Sequence, residues 1–265
     1  MIILGFVAIL LMGITLGLLG AGGSILTVPI LVYLFHINPL LSTSYSLVLV
    51  GFTALVGAFF YYRKKQIDFH IAVKFALPSI IAVYATRRFL LPLIPDHFSF
   101  FNIVIAKNLL ILVLFAVMMF LTALFMIKDS SVKLPKGDKA DMPPYLKNLF
   151  IIVEAALVGV ITAIVGAGGG FLIVPALVLL NKINVKTAIG TSLFIIAAKS
   201  LIGFVGDIQN KVNLDYMLAL QLVVLSSVGM FLGTLLGKFI NPDNLKKGFG
   251  YFVLLTSILI IIKEV

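Results

Sequence analysis

The stretch LLGAGGSILTVPILVYL, Leu18 to Leu34, decides the fold, because it returns as IVGAGGGFLIVPALVLL from Ile164 to Leu180. Both copies place a glycine run and a proline inside an otherwise apolar segment. At one constant offset the two halves also share glycines, prolines, asparagines and serines, which a chance similarity of apolar helices does not explain. The sequence therefore predicts an internal repeat. Its aligned pairs are Gly20 and Gly166, Gly22 and Gly168, Gly23 and Gly169, Pro29 and Pro175, Asn38 and Asn184, Ser46 and Ser192, and Gly57 and Gly203.

The composition is that of an integral membrane protein. Of the 265 residues, 62% are hydrophobic and only 11% are charged, whereas about a quarter of the residues in a soluble domain are charged. Apolar runs of about 20 residues are long enough to cross a bilayer. We therefore predict an all-α membrane protein built from two four-segment repeats. Its eight apolar segments are 3–35, 39–61, 71–93, 101–127, 148–180, 185–205, 214–239 and 246–262.

A polar stretch separates the two sets of four segments. It reads KDSSVKLPKGDKADMPPYLK over residues 128–147, and its charge, proline and glycine content is typical of a linker. We therefore expect a first transmembrane repeat over 1–127, a linker over 128–147 and a second transmembrane repeat over 148–265.

The positions of Lys and Arg predict how the segments lie. If each glycine-bearing segment enters and leaves on one face, thirteen basic residues lie on the linker's face and four on the other; if each crosses once, the split is ten to seven. The positive-inside rule favours the first arrangement. We therefore expect two re-entrant helical hairpins, three full spans per repeat, inverted repeats, both termini outside and a cytoplasmic linker. The net charge of +10 then needs no nucleic-acid partner.

The glycine runs predict a helix break inside the membrane. They are not nucleotide-binding loops, because Ile25 and Phe171 stand where G-x-G-x-x-G needs its third glycine. Backbone groups freed by a break at membrane depth need partners from protein or trapped water, and the N–H groups of the returning half-helix favour an anion. Ser24 is expected to cap its own helix. Pro29 and Pro175 are expected to leave a backbone carbonyl free for a cation or water.

The paired G-x-G-G-[GS]-x-x-x-V-P motifs are each followed by a helix start rich in Thr and Ser, at 43–46 and 190–192. Together they resemble the sulfite exporter TauE/SafE family of membrane permeases over nearly the whole chain. The resemblance implies movement of sulfite, sulfonates or related small organosulfur anions across a bacterial-type inner membrane.

With inverted repeats the two hairpin tips would meet near the bilayer midplane, where secondary transporters bind their substrates. By contrast, the evenly spaced Gly229, Gly233 and Gly237 are expected only to pack helices. The predicted substrate-binding residues are Gly20, Gly22, Gly23, Ser24, Pro29, Ser44, Ser46, Gly166, Gly168, Gly169, Gly170, Pro175, Thr191, Ser192 and Lys199.

Few ionisable residues lie inside the spans, and each is a functional candidate because a charge in the bilayer is costly. Lys199 would pair with a substrate oxygen or release a proton; the alternative is a lysine that extends to the outer interface near Asp207. Glu154 is a candidate for proton coupling, or it contacts the cytoplasmic interface. Arg87 and Arg88 mark the outer end of a span or attract anions.

These patterns predict a secondary transporter of small anions that works by alternating access, and the resemblance implies anions of the sulfite, sulfonate or organosulfur class. The alternative is a channel-like or structural membrane subunit whose glycines only pack helices. The sequence has no catalytic motif and no carboxylate pair at membrane depth, so we do not expect an enzyme. We expect no cofactor, and no metal site, because His36, His70 and His97 fall in separate loops. The expected partners are the anion, the lipid bilayer and a coupling proton.

Overall fold

The computed structural model describes residues 2–20, 22–95, 97–100, 103–127, 144–170, 172–174, 177, 185–237 and 242–264. In this part of the chain, seven helices are long and apolar enough to cross a membrane. Many large apolar side chains lie on the outer surface, among them Ile3 (81% exposed), Leu93 (77%) and Ile262 (74%). An apolar surface of this extent suits contact with lipid chains.

The first repeat contains six helices and one short hairpin. Pro39 begins α3 directly after Asn38, whose side-chain oxygen caps the helix by accepting from the Leu40 N–H at 3.0 Å. The sequence analysis did not predict the two antiparallel strands, which precede α6. The elements are α1 (Ile2–Leu19), a 3-10 turn (Gly23–Leu26), α2 (Thr27–Tyr33), α3 (Pro39–Arg63), α4 (Phe69–Ala85), a π turn (Thr86–Leu90), α5 (Leu91–Leu93), β1 (His97–Phe100), β2 (Ile103–Ala106) and α6 (Lys107–Ile127).

The second repeat follows the same order. Its helix α7 begins at Pro144, inside the stretch that the sequence analysis gave to the linker. Pro175, Phe171 and residues 128–143 of the linker lie outside the described residues. The elements are α7 (Pro144–Val165), a helical segment at 172–174, α8 (Val185–Gln209), α9 (Tyr216–Leu236) and α10 (Pro242–Glu264).

The first glycine-bearing segment folds back on itself. Gly23 packs directly on α1, since a Cβ atom there would stand 2.7 Å from the Met12 carbonyl oxygen. At the far end of the segment, the ring of Phe35 lies against Gly5 and meets the ring of Phe6 edge-on, with 5.4 Å between centroids. The 3-10 turn and α2 therefore run antiparallel to α1 and return to the level at which α1 begins.

The second glycine-bearing segment turns in the same way. After α7 ends at Val165, Gly169 lies against the side chain of Thr162 on the last turn of α7. Beyond the turn, Ile173 is buried in the same core cluster as Ala155 of α7. The described part of this segment therefore turns back at the end of α7, as the first segment turns back at the end of α1.

The helices pack in matched pairs. Helix α1 packs on α9 as α7 packs on α4, and α3 packs on α9 as α8 packs on α4. The two remaining large contacts, α3 with α8 and α6 with α10, each join equivalent helices of the two repeats. Two halves related by a two-fold axis would give this pattern.

Equivalent contacts also fix the starts of α4 and α9. Asp68 caps α4 by accepting from the Ile71 N–H at 3.0 Å, and its own N–H donates to the Thr191 hydroxyl at 3.0 Å. Asp215 caps α9 by accepting from two N–H groups of the first turn at 2.9 and 3.0 Å, and its own N–H donates to the Tyr45 hydroxyl at 2.7 Å. Helices α8 and α3 thus each hold the start of a helix from the other repeat.

Glycines let α1 and α9 approach closely. A Cβ atom at Gly229 would stand 3.0 Å from the Gly13 Cα, and one at Gly233 would stand 3.0 Å from the Gly17 Cα. Small residues spaced by four let membrane helices bring their backbones together, as predicted for this stretch. The equivalent pair, α7 and α4, meets through Gly159 in the same manner.

We expect Gly229→Ala to destabilise the fold, because its Cβ would collide with the Leu10 carbonyl oxygen in the α1 backbone. Overpacking of this kind costs about 1–3 kcal/mol, which lowers the melting temperature by several degrees. Circular dichroism of the detergent-solubilised protein would measure it, since the chain has no tryptophan for fluorescence.

Gly248→Ala is the matched control, because nothing lies within 4 Å of a Cβ at this helical position. Alanine has the higher helix propensity, so the control should melt at the wild-type temperature or above it. Equal melting temperatures for the two variants would contradict the close packing of α1 on α9.

Candidate functional site

Both glycine runs turn the chain in the left-handed region of backbone space. Gly20 and Gly166 follow α1 and α7 with φ of 73° and 72°. Their N–H groups donate to carbonyl oxygens one turn earlier, at 2.8 and 2.9 Å. Gly168 and Gly169 also have positive φ, at 63° and 69°. Because a Cβ atom is strained in this region, the turns require glycine at these positions.

The two hairpin tips touch each other. The Ser24 hydroxyl of the first tip donates to the Ala167 carbonyl oxygen of the second at 2.7 Å. A Cβ atom at Gly168 would stand 2.6 Å from Val50 Cγ1 and 3.4 Å from Ile196 Cγ2. Val50 and Ile196 are equivalent residues of α3 and α8. The tips therefore meet beside the crossing of these two helices.

Each tip also packs on a helix of the other repeat. A Cβ atom at Gly166 would stand 2.6 Å from the Thr43 Cα on α3, and Ile189 on α8 leaves no room for a Cβ at Gly20. Thr43 and Ile189 are themselves equivalent residues. The glycine runs are thus needed for close packing as well as for the turn.

The hydroxyls of Ser46 and Ser192 behave differently although the two serines are equivalent. Ser46 donates across the repeats to the Gly166 carbonyl oxygen at 2.5 Å. Ser192 donates within its own helix to the Ile189 carbonyl oxygen at 2.8 Å. Only the first of these bonds links a helix to the opposite tip.

Ser24 does not cap its own helix, contrary to the sequence prediction. It lies inside the 3-10 turn, and neither N-cap residue, Gly22 for the turn or Leu26 for α2, makes a side-chain capping bond. Its hydroxyl instead reaches the opposite tip. Pro29 is the third residue of α2, where a helical N–H has no partner within the helix, so the proline fits the first turn without breaking it.

Lys199 lies deep inside the protein at the second tip. Its side chain is 1% exposed, and its ammonium donates to the Thr162 hydroxyl at 2.9 Å. A Cβ atom at Gly169 would stand 2.8 Å from the ammonium nitrogen. The alternative that Lys199 extends to the surface near Asp207 is therefore wrong. Among the described residues no carboxylate lies within 4.0 Å of this ammonium.

The equivalent position of the first repeat carries a neutral pair that the sequence analysis did not assign. Thr53 stands where the second repeat has Lys199, and its hydroxyl lies 2.6 Å from that of Ser226. Both residues are fully buried. The constant offset between the repeats pointed to Thr53, but Ser226 comes from a helix whose sequence gave no signal for this contact.

Ser44 faces a second charged group. Its side chain is 2% exposed, and its hydroxyl oxygen accepts from Arg87 Nη1 at 3.4 Å. Arg87 is fully buried and forms an ion pair with Asp207 at 3.2 Å. The prediction that Arg87 marks the outer end of a span did not include this burial. Arg88, by contrast, donates to the side chain of the loop residue Asn210.

The other predicted site residues do not all lie at the hairpin tips. Gly22 and Gly170 are buried at the tips. Thr191 lies at the start of α8, where its hydroxyl holds the loop before α4. Glu154 is partly exposed on α7. Pro175 is outside the described residues.

The described polar side chains at the tips are closed to solvent in this conformation. Ser24, Ser46, Thr53 and Ser192 are fully buried, as is Lys199 to within 1%. Two apolar grooves lie elsewhere, one of about 680 Å³ beside α3 and one of about 420 Å³ between α4 and α7. A solute can therefore reach the tips only after helices move.

We expect Ser46→Ala to destabilise the protein more than Ser192→Ala. The first change strips the buried Gly166 carbonyl of its donor, and an unsatisfied buried group costs about 1–3 kcal/mol. The second removes a bond inside one helix to a carbonyl that the helix already uses. Thermal unfolding followed by circular dichroism would compare the two variants. Equal losses would contradict a specific role for the bond between α3 and the second tip.

This chain is similar to one known protein family and to several individual proteins. The family described as Sulfite exporter TauE/SafE matches residues 5–260. A "Probable membrane transporter protein" of Xylella fastidiosa (strain Temecula1 / ATCC 700964) is 28% identical over 256 residues, covering 95% of this chain and 91% of its own length. The "Probable membrane transporter protein YunE" of Bacillus subtilis (strain 168) is 28% identical, covering 90% of this chain and 89% of its own length.

A third relative is the "Probable membrane transporter protein MJ0441" of Methanocaldococcus jannaschii, 32% identical over 114 residues, or 41% of this chain and 42% of its own length. No solved structure gave a significant match. The family match spans both hairpins and all seven long apolar helices, and the relatives carry the name of transporters, not of enzymes. The chain therefore belongs to the sulfite exporter TauE/SafE family and is a multi-pass membrane transporter.

Proposed function

We propose that the protein is a secondary transporter of small oxyanions of the sulfite and sulfonate class, with its binding site at the two hairpin tips. The name of the family supports the substrate class. The chemistry of the tips supports an anion independently of that name.

The observation that carries the proposal is the buried ammonium of Lys199. A charge taken out of water costs several kcal/mol unless it is compensated, and the Thr162 hydroxyl is neutral. With no carboxylate within 4.0 Å among the described residues, an arriving anion would supply the missing counter-charge. The ammonium stands against Gly169, so the anion would be drawn to the tip itself.

The glycine runs suit an oxyanion for a second reason. Without side chains, the backbone at the turn can approach a ligand closely, and the start of the returning half-helix offers N–H groups with the positive end of its dipole. Sulfite and sulfonates present three oxygens on one sulfur. Such a group can accept from the Lys199 ammonium and from backbone N–H groups at the same time.

We further propose that the halves have inverted topology and that the site opens to each face in turn. Three observations support this. The first hairpin returns to the level at which α1 begins, the helix pairs match as two-fold mates, and the tips are closed to solvent. Relative motion of two symmetry-related helix bundles around a fixed site is the usual form of alternating access.

Glu154 stays our candidate for proton coupling. It is a carboxylate within the apolar sequence of α7, where a charge is retained for a purpose more often than not. The described residues place it on α7, the helix that leads into the second tip.

Binding of anions to the purified protein tests the proposal. We expect sulfite, sulfoacetate or taurine to raise the melting temperature by several degrees, because a ligand that binds only the folded state stabilises it by mass action. Sulfate, phosphate and acetate are tested in the same way, and their shifts measure how specific the binding is. Lys199→Gln keeps a donor for Thr162 but removes the charge, and should abolish the shift. Lys65→Gln, at an exposed lysine, is the matched control and should keep it.

Counterflow of labelled sulfite in proteoliposomes separates a carrier from the alternatives. A carrier exchanges labelled for unlabelled anion across the membrane, whereas a channel dissipates the gradient without exchange. A structural subunit whose glycines only pack helices would give neither a thermal shift nor flux, and the proposal would then be wrong.

Single cysteines test the inverted topology and the orientation. The natural chain has no cysteine, so Lys64→Cys and Asn213→Cys each introduce one thiol in an otherwise thiol-free protein. Both positions are exposed, Lys64 after α3 and Asn213 before α9. We expect a membrane-impermeant maleimide to label Asn213→Cys from outside intact cells, and Lys64→Cys only after the membrane is opened. Labelling of both from one side would contradict the arrangement.

A further inference from the structure

A second buried cation lies outside the predicted site. Arg87 is fully buried in the π turn that follows α4, a backbone irregularity that often accompanies functional sites. Its Nη1 donates to the Asp207 carboxylate at 3.2 Å and to the Ser44 hydroxyl at 3.4 Å. Its Nε and Nη2 have no hydrogen-bond partner among the described residues.

The two unpartnered groups are the ones that recognise oxyanions. Nε and Nη2 form one edge of the guanidinium, and their parallel N–H bonds match two oxygens of a carboxylate, phosphate or sulfonate. The ion pair with Asp207 uses the other end of the group through a single nitrogen. A buried arginine with a satisfied ion pair would ordinarily have its remaining donors paired as well. Here the edge that binds oxyanions has no hydrogen-bond partner among the described residues.

The backbone around Arg87 is held firmly. The Asn210 side-chain amide donates to the Arg87 carbonyl oxygen at 2.8 Å. Helix α8 presents Gly206 to this residue, and a Cβ atom at Gly206 would stand 3.2 Å from the Arg87 Cβ. The guanidinium is thus placed by α8 rather than free to swing outward. Its position is fixed before any ligand arrives.

We propose that Arg87, with Ser44, forms a second anion site beside the hairpin tips. In it the Nε–Nη2 edge binds two oxygens of the transported oxyanion, and Asp207 neutralises the guanidinium when no anion is bound. This inference rests on the proposed function, because the ligand is the same anion. Ser44 is the residue after Thr43, which contacts Gly166 of the second tip, so the second site lies beside that tip.

Among the described residues, the proposed second site occurs at one end of the protein. The offset that relates α3 to α8 makes Gly190 equivalent to Ser44 and Tyr61 to Asp207. The caps Asp68 and Asp215 relate α4 to α9 at an offset one residue longer, which makes Thr234 equivalent to Arg87. At that opposite end, Gly190 packs against Tyr61 and the Gln66 carbonyl oxygen. An anion therefore meets a charged site between the tips and the face on which α3 begins, and no equivalent on the other side among the described residues.

Isothermal titration of the purified protein with sulfite and with sulfoacetate tests the proposal. Arg87→Lys keeps the charge and the means to pair with Asp207 but has no two-nitrogen edge, so affinity should fall by about tenfold to a hundredfold, the value of a charge-assisted hydrogen bond. Asp207→Asn removes the competing negative charge from a site of similar shape, so affinity should rise several-fold. Arg88→Lys, at the partly buried neighbour, should change affinity less than twofold.

The opposite signs of the two effects distinguish an anion site from a structural ion pair. If the pair only holds helices together, Arg87→Lys and Asp207→Asn lower the melting temperature and leave both affinities unchanged, and the proposal is overturned. Should Arg87→Lys not fold, Asp207→Asn and Ser44→Ala decide the matter, with tighter and weaker binding expected. A wild type that binds neither anion overturns this inference and the proposed function together. Binding that depends on Lys199 but not on Arg87 or Asp207 overturns this inference alone.

Discussion

A helix that breaks inside a bilayer leaves backbone carbonyls that water cannot reach, and the rest of this structure follows from how they are satisfied. At the second tip, the Gly166 carbonyl accepts from Ser46 and the Ala167 carbonyl accepts from Ser24 and from the Gly169 N–H. Both serines belong to the first repeat. The partners that make the second break tolerable therefore come from the other half of the protein, so the second hairpin is not a complete unit by itself. The core forms where α3 and α8 bring the halves together.

The same contacts indicate which interfaces would change in the proposed alternating access. Each cross-repeat hydrogen bond contributes about 1 kcal/mol, whereas the packing of α1 on α9 and of α7 on α4 brings backbone against backbone. On this proposal the tips would separate, while those glycine-packed pairs, each of which joins a helix of one repeat to a helix of the other, would stay intact. The separation would expose the Gly166 and Ala167 carbonyls together with the Lys199 ammonium. Water could then satisfy the carbonyls and an oxyanion the ammonium, so these polar groups would keep partners in the open state.

The scaffold could be predicted from the sequence because the two repeats share glycines and prolines, which have strong backbone preferences. The paired GAGG runs predicted both turns, and positive φ at Gly20 and Gly166 gives the reason. The small-residue spacing predicted the packing at Gly229 and Gly233. The hydrogen-bond partners of the side chains could not be predicted as well from the sequence. Ser24 sits at a position suited to a helix cap, yet its hydroxyl reaches a carbonyl far away in the sequence. The burial of Arg87 depends on Asp207, from another repeat, and no local pattern encodes that pairing.

The two halves are alike in how their helices pack, but they differ in the polar side chains that they carry. The glycine turns, the Asp68 and Asp215 caps and the helix pairs recur in both halves. Three polar groups do not recur: Lys199 is matched by Thr53, Ser24 by Gly170 and Arg87 by Thr234. In the alternating access proposed above, two-fold packing would make the two end states similar in energy, which suits a transporter that must visit both. Unequal polar groups would then let the anion bind with different strength when the site faces each side. A symmetric frame with one-sided charges would therefore give the proposed site a different affinity on each face, while the electrochemical gradient sets the direction of net movement.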